Sequence, residues 1–308
     1  MIRFLLSGVF ATLMLVACTT PAPVIAPPQP APVAPPPPKV ALVLGGGGAR
    51  GFAHIGVLKL LDVEGLRPDI IVGTSAGSVA GALYASGISG FDLQQMSYEM
   101  DRATITDWSI IGKGLIRGDA LEAFVNKTVH NRPIEKLPIR FACVATRMDT
   151  GEAVLFQSGN LGQAVRASSS VPGVFEPTII NGVEYVDGGL VSPVPIQFAR
   201  KLHADIVIAV DVSTPPDNTA TTGKLDVLMR TFDIMGQSIR AAELPQADVL
   251  IRPDLNGIAS TDFDSRQFAI LQGERAAVAA LPQIRAKLGN RLNAPLTVSA
   301  DRNTFAIN

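Results

Sequence analysis

"IVGTSAGSVAGALYA", residues 71–85, decides how this chain is read. It starts apolar, passes through Gly73-Thr74-Ser75-Ala76-Gly77 and continues as a helix of small residues. A G-x-S-x-G between an apolar strand and a helix has a mechanical meaning. The serine sits on a sharp turn that exposes its Oγ at the head of the helix. Gly73 and Gly77 relieve crowding where strand and helix nearly touch. The helix N-terminus adds positive potential where a reacting oxygen develops charge. Ser75 is therefore the candidate nucleophile.

Upstream lies "VALVLGGGGARGFAHIGVL", beginning at Val40. An apolar strand runs into four glycines, Gly45 to Gly48, and then into a helix. Glycine adds nothing to a core, so such a loop serves to aim backbone amides or to let the chain approach something closely. An ester attacked by Ser75 becomes an oxyanion, and a glycine run at a helix N-terminus offers several N–H groups to it. The rival use is a nucleotide phosphate, because Gly46-x-Gly48-x-x-Gly51 also fits G-x-G-x-x-G. That fingerprint needs an acidic residue at the end of the second strand. Here that strand ends in the serine turn, and Asp69 precedes it.

Apolar runs alternate with helical stretches through most of the remainder. "IRFACVATRMDTGEAVLFQSG" reads as two strands about a turn, "TIINGVEYVDGGL" as a hairpin about Asn181-Gly182, and "IVIAVDVS" as a buried strand. "NLGQAVRASSS" and "PVPIQFARKLHAD" read as helices, followed by helices over 224–243 and 265–288 with the strand "ADVLIRPDL" between them. Residues 91–130 read as irregular helix with a loop, and 91–120 are a candidate cover for the substrate site. The pattern predicts a mainly parallel sheet covered on both faces.

A nucleophilic serine needs a base. The histidines are His54, His130 and His203. The order Ser75, Asp187, His203 would allow a triad. His203, however, ends a helix, where capping and the dipole favour it without any catalytic role. It also precedes a strand, which puts it at the sheet edge opposite the serine turn. Asp187 ends an apolar strand and is followed by Gly188 and Gly189, which remove side chains that would block its approach. As an isolated residue it fits a turn equally well.

Taken together, "GGGGARG", "GTSAG" and "DGG" resemble the motifs of the patatin-like phospholipase family, and "RASSSVPGVFEP" resembles the family segment between elbow and base. The resemblance covers nearly all of residues 40–290. It implies an α/β, three-layer α/β/α fold with a mainly parallel central sheet. It implies hydrolysis of lipid acyl esters by a Ser–Asp dyad without a catalytic histidine or any cofactor. By position, Ser75 would be the nucleophile and Asp187 the base. Gly46, Gly47, Gly48 and Arg50 would form the oxyanion loop, supported by Gly51, Gly73, Gly77, Gly188 and Gly189. No cluster of His, Cys and acids has metal-ligand spacing. The alternatives are a Ser-Asp-His carboxylesterase or thioesterase on soluble esters, and a non-catalytic envelope lipoprotein.

The N-terminal segment has its own reading. Arg3, the apolar run "FLLSGVFATLMLVA" and "LVAC" at 15–18 resemble a bacterial lipobox. Residues 1–17 would be the signal peptide and Cys18 the acylated residue. Thr19 after the cysteine points to the outer membrane, periplasmic face. "PAPVIAPPQPAPVAPPPP", residues 21–38, cannot form a hydrogen-bonded element. As polyproline II it would tether a domain up to roughly 50 Å from the membrane. Organisation is then 1–17 signal, 18–38 lipidated tether, 39–290 hydrolase domain and 291–308 tail. The hydrophobic content of 47% is ample for one large core. The net charge of -1, with no basic stripe, argues against nucleic acid as a partner and leaves a membrane lipid or other acyl ester. Cys143 lies in an apolar run and is expected to be a buried, inert thiol.

Overall fold

The structure, a computed structural model, describes residues 37–99, 116–214 and 223–289. The lipobox, most of the proline-rich segment, the 291–308 tail and most of the expected cover over 91–120 lie outside these residues. Among the described residues no helix is long and apolar enough to cross a membrane.

The chain forms β1 (Val40–Leu44), α1 (Ala53–Val63), β2 (Ile70–Thr74), α2 (Ala76–Ala85), α3 (Gly90–Glu99) and α4 (Asp119–Thr128). There follow β3 (Arg140–Arg147), β4 (Ala153–Phe156), α5 (Leu161–Ser168), β5 (Thr178–Ile180) and β6 (Val183–Asp187). The chain continues through α6 (Ile196–Lys201), β7 (Ile206–Val210), α7 (Lys224–Glu243), β8 (Val249–Ile251) and α8 (Arg266–Leu288). The described strands make one sheet in the order β5-β6-β3-β2-β1-β7-β8, with β4 also on β3. Strands β3, β2, β1, β7 and β8 are parallel to one another, whereas β4, β5 and β6 add antiparallel pairs.

Both faces of the central strands are buried, which explains why they read as continuous apolar runs. Val40, Leu42, Leu44, Ile71 and Phe141 pack on one side with α1, α2, α4, α5 and α8. Ala41, Val43, Ile70, Val72 and Val144 pack on the other with Ile196, Phe198 and Leu202 around α6. These are the three layers expected from the sequence. Cys143 is fully buried there, and burial pushes its thiol pKa up, so it is an inert core residue.

The pairing around β3 builds the site. β2 runs parallel to it over Arg140–Val144, and β6 runs antiparallel to it over Ala145–Arg147. β4 pairs with it from Cys143 to Thr146. A strand has two edges, so β2 and β6 must share the edge that β4 leaves open. They meet head-on: Thr74 lies opposite Val144, and Asp187 lies opposite Ala145. The residue after Thr74 is Ser75.

Candidate active site

Ser75 has φ 54° and ψ −124°, outside the regions a residue with a Cβ prefers. Such a conformation costs on the order of 1–3 kcal/mol and persists only where the surroundings impose it. The restraints are visible. The Ser75 N–H donates to Ser168 Oγ at 3.0 Å, and Ser168 Oγ donates to Val144 O at 2.7 Å. The Ser75 carbonyl accepts from the N–H and Oγ of Ser78 at 2.8 and 2.6 Å. Thr74 Oγ1 donates to Ser192 O at 2.9 Å. At Gly77 a Cβ would lie 2.1 Å from Leu44 O, so only glycine lets α2 pack this closely on the β1 end.

Asp187 is 6% exposed and equally constrained. Its N–H donates to Ser170 O at 2.9 Å, and its carbonyl accepts from Thr146 Oγ1 at 2.8 Å. Carboxylate Oδ1 accepts the Gly189 N–H at 2.6 Å. Oδ2 is buried without an aligned hydrogen bond. Burial raises the pKa to about 6, and the nearby Ser75 side chain and the Gly189 N–H pull it partly back. Proximity to Ser75 and the lack of an aligned bond at Oδ2 are compatible, because catalytic hydrogen bonds are often loose before substrate binds.

The glycine loop lies against the nucleophile: a Cβ on Gly46 would stand 3.3 Å from Ser75 Cβ. Its amides are not equivalent. The Gly46 N–H already donates to Pro193 O at 2.9 Å, so Gly46 contributes close approach rather than a donor. The N–H groups of Gly47 and Gly48 have no hydrogen-bond partner among the described residues. Gly48 has φ 57°, and a Cβ there would meet Ser260 O at 2.3 Å. Arg50 braces the loop, the shape-holding role the sequence offered for it. Its Nε donates to Gly47 O at 3.3 Å and its two terminal nitrogens to Thr214 Oγ1 at 2.5 Å and Asp233 Oδ1 at 2.8 Å. Because a peptide N–H points opposite to its C=O, holding Gly47 O fixes where the Gly48 N–H aims.

No histidine hydrogen-bonds Ser75 or Asp187. His203 is exposed with φ 65° just before β7, at the amino ends of the parallel strands and the opposite edge from Ser75. His130 follows α4 and lines an open polar cleft of about 810 Å³ with Asp119, Lys127 and Arg166. That cleft contains neither Ser75 nor Asp187. His54 is fully buried behind the glycine loop, where Nε2 donates to Gly45 O at 2.8 Å. Burial lowers its pKa to about 4, so it stays neutral.

Sequence reasoning missed Ser168, Asp233 and Glu243. Glu243 accepts from Ser192 Oγ and, at 2.9 Å, from Val194 N–H, bracketing the Pro193 carbonyl that holds Gly46. Only Ser168 left a trace, as a polar residue within the "RASSS" segment.

The arrangement is an α/β sheet with a strained serine at one strand end, a buried aspartate meeting it head-on and a braced glycine loop. Residues 42–200 match the family model described as patatin-like phospholipase, and the chain belongs to that family. An uncharacterized NTE family protein of Mycobacterium tuberculosis is 35% identical over 207 residues, 66% of this chain and 57% of that protein. A second from that organism is 33% identical over 273 residues, 79% of this chain and 46% of that protein. The chain thus spans about half the length of these curated relatives. Patatin-like phospholipase domain-containing protein 6 of Mus musculus is 33% identical over 191 residues, 59% of this chain and 14% of that protein. The crystal structure of VipD from Legionella pneumophila superposes with a TM-score of 0.54 at 15% identity, over 80% of this chain and 67% of that one, and shares the fold.

Proposed function

We propose that this chain is a serine acyl hydrolase of the phospholipase A or lysophospholipase type, using Ser75 and Asp187 as a dyad. The observation that carries the reading is the head-on meeting of β2 and β6 along β3. It brings a hydroxyl in a strained turn to a buried carboxylate, with no histidine bonded to either. Family membership supports lipid as the substrate class.

The chemistry follows from the groups present. The Asp187 carboxylate takes the Ser75 proton as Oγ attacks the ester carbonyl carbon. The carbonyl oxygen becomes an oxyanion, met by the Gly47 and Gly48 amides. Losing one such donor typically costs about 2.7–4 kcal/mol of transition-state stabilisation. As the tetrahedral adduct collapses, Asp187 returns the proton to the departing alcohol and leaves an acyl-serine. In the second half, Asp187 takes a proton from water as the water oxygen attacks that ester. Ser75 Oγ leaves and recovers the proton, and the fatty acid is released. An ordinary aspartate is a weak base for a hydroxyl, and burial makes this one stronger.

The lipobox reading places the protein on the cell envelope, anchored through Cys18 at the periplasmic face of the outer membrane, with membrane lipids as substrate. Cys18→Ser should release the protein from the membrane or stall its processing. The deciding experiment incubates the purified protein with mixed phospholipids and identifies products for wild type and Ser75→Ala. Free fatty acid from wild type alone supports the reading. Hydrolysis of soluble esters only favours the esterase alternative, and inert wild type with no fluorophosphonate labelling favours a non-catalytic lipoprotein.

A further inference from the structure

Helix α7 is turned inside out. A helix on a protein surface normally faces charge to water and apolar residues to the core. Here Asp233, Gly236, Arg240 and Glu243, on one side at spacings of three, seven and ten, face the protein. They are held by polar contacts: Asp233 with Arg50 at 2.8 Å, Arg240 with Asp233 O at 3.3 Å, and Glu243 with Ser192 and Val194. The opposite side exposes Val227, Ile234 and Met235 at 54%, 52% and 54%. Thr231, Gln237, Ser238, Ala241 and Ala242 are exposed beside them, with half-buried Arg230 on one flank and Leu228, Phe232 and Ile239 on the other. Contiguous exposed apolar surface marks an interaction site more often than chance allows.

Three features select a lipid surface as the occupant. The stripe is continuous with the catalytic edge. Leu228 Cδ2 would stand 3.0 Å from a Cβ on Gly173, in the turn that follows Ser170, whose carbonyl holds Asp187; Asp233 holds Arg50 of the glycine loop. Among the described side chains of α7 the two carboxylates, Asp233 and Glu243, are turned to the protein, so the described part of the outward face carries no negative charge to repel anionic headgroups. The face is also small. A helix of 20 residues measures about 30 Å by 10 Å, well short of the ~800 Å² per partner of a stable protein dimer.

We propose that the outward face of α7, crested by Val227, Ile234 and Met235, docks the domain on the bilayer that supplies its substrate. This rests on the acyl hydrolase reading above. The test uses the mature chain from residue 18 onward carrying Cys18→Ser, so that neither the apolar leader nor acylation can hold it to lipid. Vesicles of phosphatidylethanolamine and phosphatidylglycerol are scored for cosedimentation and fatty acid release, with a soluble short-chain nitrophenyl ester in parallel. Ile234→Ser with Met235→Ser should lower vesicle binding and vesicle hydrolysis about tenfold, a loss of ~1.4 kcal/mol in binding, and keep soluble-ester turnover within about twofold. Val63→Ser, at the far end of α1 and 66% exposed, should change neither. Ile234→Cys carrying an environment-sensitive dye should shift to the blue when vesicles are added, since Cys143 is buried and does not label. Vesicle binding equal to the parent's, or no shift of the dye, overturns the proposal. So does a parent dimer that the double substitution dissolves, which would make a second copy the occupant. Docking through the stripe with no hydrolysis of either substrate would keep the proposal and sink the hydrolase reading.

Discussion

Arg50 and Asp233 form an ion pair of 2.8 Å across 183 residues of chain, with the arginine side chain only 4% exposed and the aspartate 28%. It ties the glycine loop to α7 and, through Arg50 Nε on Gly47 O, sets the direction of the Gly48 amide. Asp233→Asn keeps the shape and removes the charge that orients the guanidinium. We expect kcat to fall about tenfold, ~1.4 kcal/mol in the barrier, with KM little changed. Unfolding stability should drop by about 1–3 kcal/mol. A variant with wild-type kcat would show that the loop keeps its geometry without this pair.

Ser168 supplies the acceptor for the Ser75 N–H and donates to Val144 O. Ser168→Ala leaves both groups without their partner, at a cost of about 1–3 kcal/mol. Because one of them is the nucleophile's own amide, kcat should fall further than the stability loss alone implies. Chemical denaturation and steady-state kinetics on the same preparation check both halves. Full activity in a destabilised protein would make Ser168 a core residue only.

The Asp187 pKa of about 6 sets the pH response. The base form exists above it, so kcat/KM should climb with a midpoint near pH 6 and level off above neutrality. The folded pKa lies above that of the unfolded chain. The native state therefore binds more protons between roughly pH 4 and 6, and stability falls as pH rises through that window. Above it the buried carboxylate weakens the fold by on the order of 3 kcal/mol. Asp187→Asn should abolish turnover and raise the thermal midpoint at pH 8 with little effect near pH 4. Equal effects at both pH values would contradict the burial argument.

His203 is exposed at the far edge of the sheet. His203→Ala should retain hydrolysis within about tenfold of wild type, or ~1.4 kcal/mol. A folded His203→Ala protein as inactive as Ser75→Ala would replace the dyad with a triad.

What the sequence determined on its own was local. The strands β1, β2, β3 and β7 were legible because burial on both faces leaves them continuously apolar. The serine turn was legible because a tight strand-to-helix junction excludes side chains at Gly73 and Gly77, and the place of His203 at the edge opposite Ser75 followed from its position between a helix and a strand start. What only the tertiary structure decided was pairing over long separations. Ser75 and Asp187 meet because β2 and β6 share one edge of β3, and no local pattern encodes which edge β4 takes. The Gly46 amide is occupied by Pro193, far along the chain, so a run of glycines does not say which N–H groups stay free. The braces on that loop, Asp233 and Glu243, lie on a helix whose charges face inward. Reading α7 by periodicity alone would place them in water, because a buried ion pair is recognisable only when both partners and their separation are known.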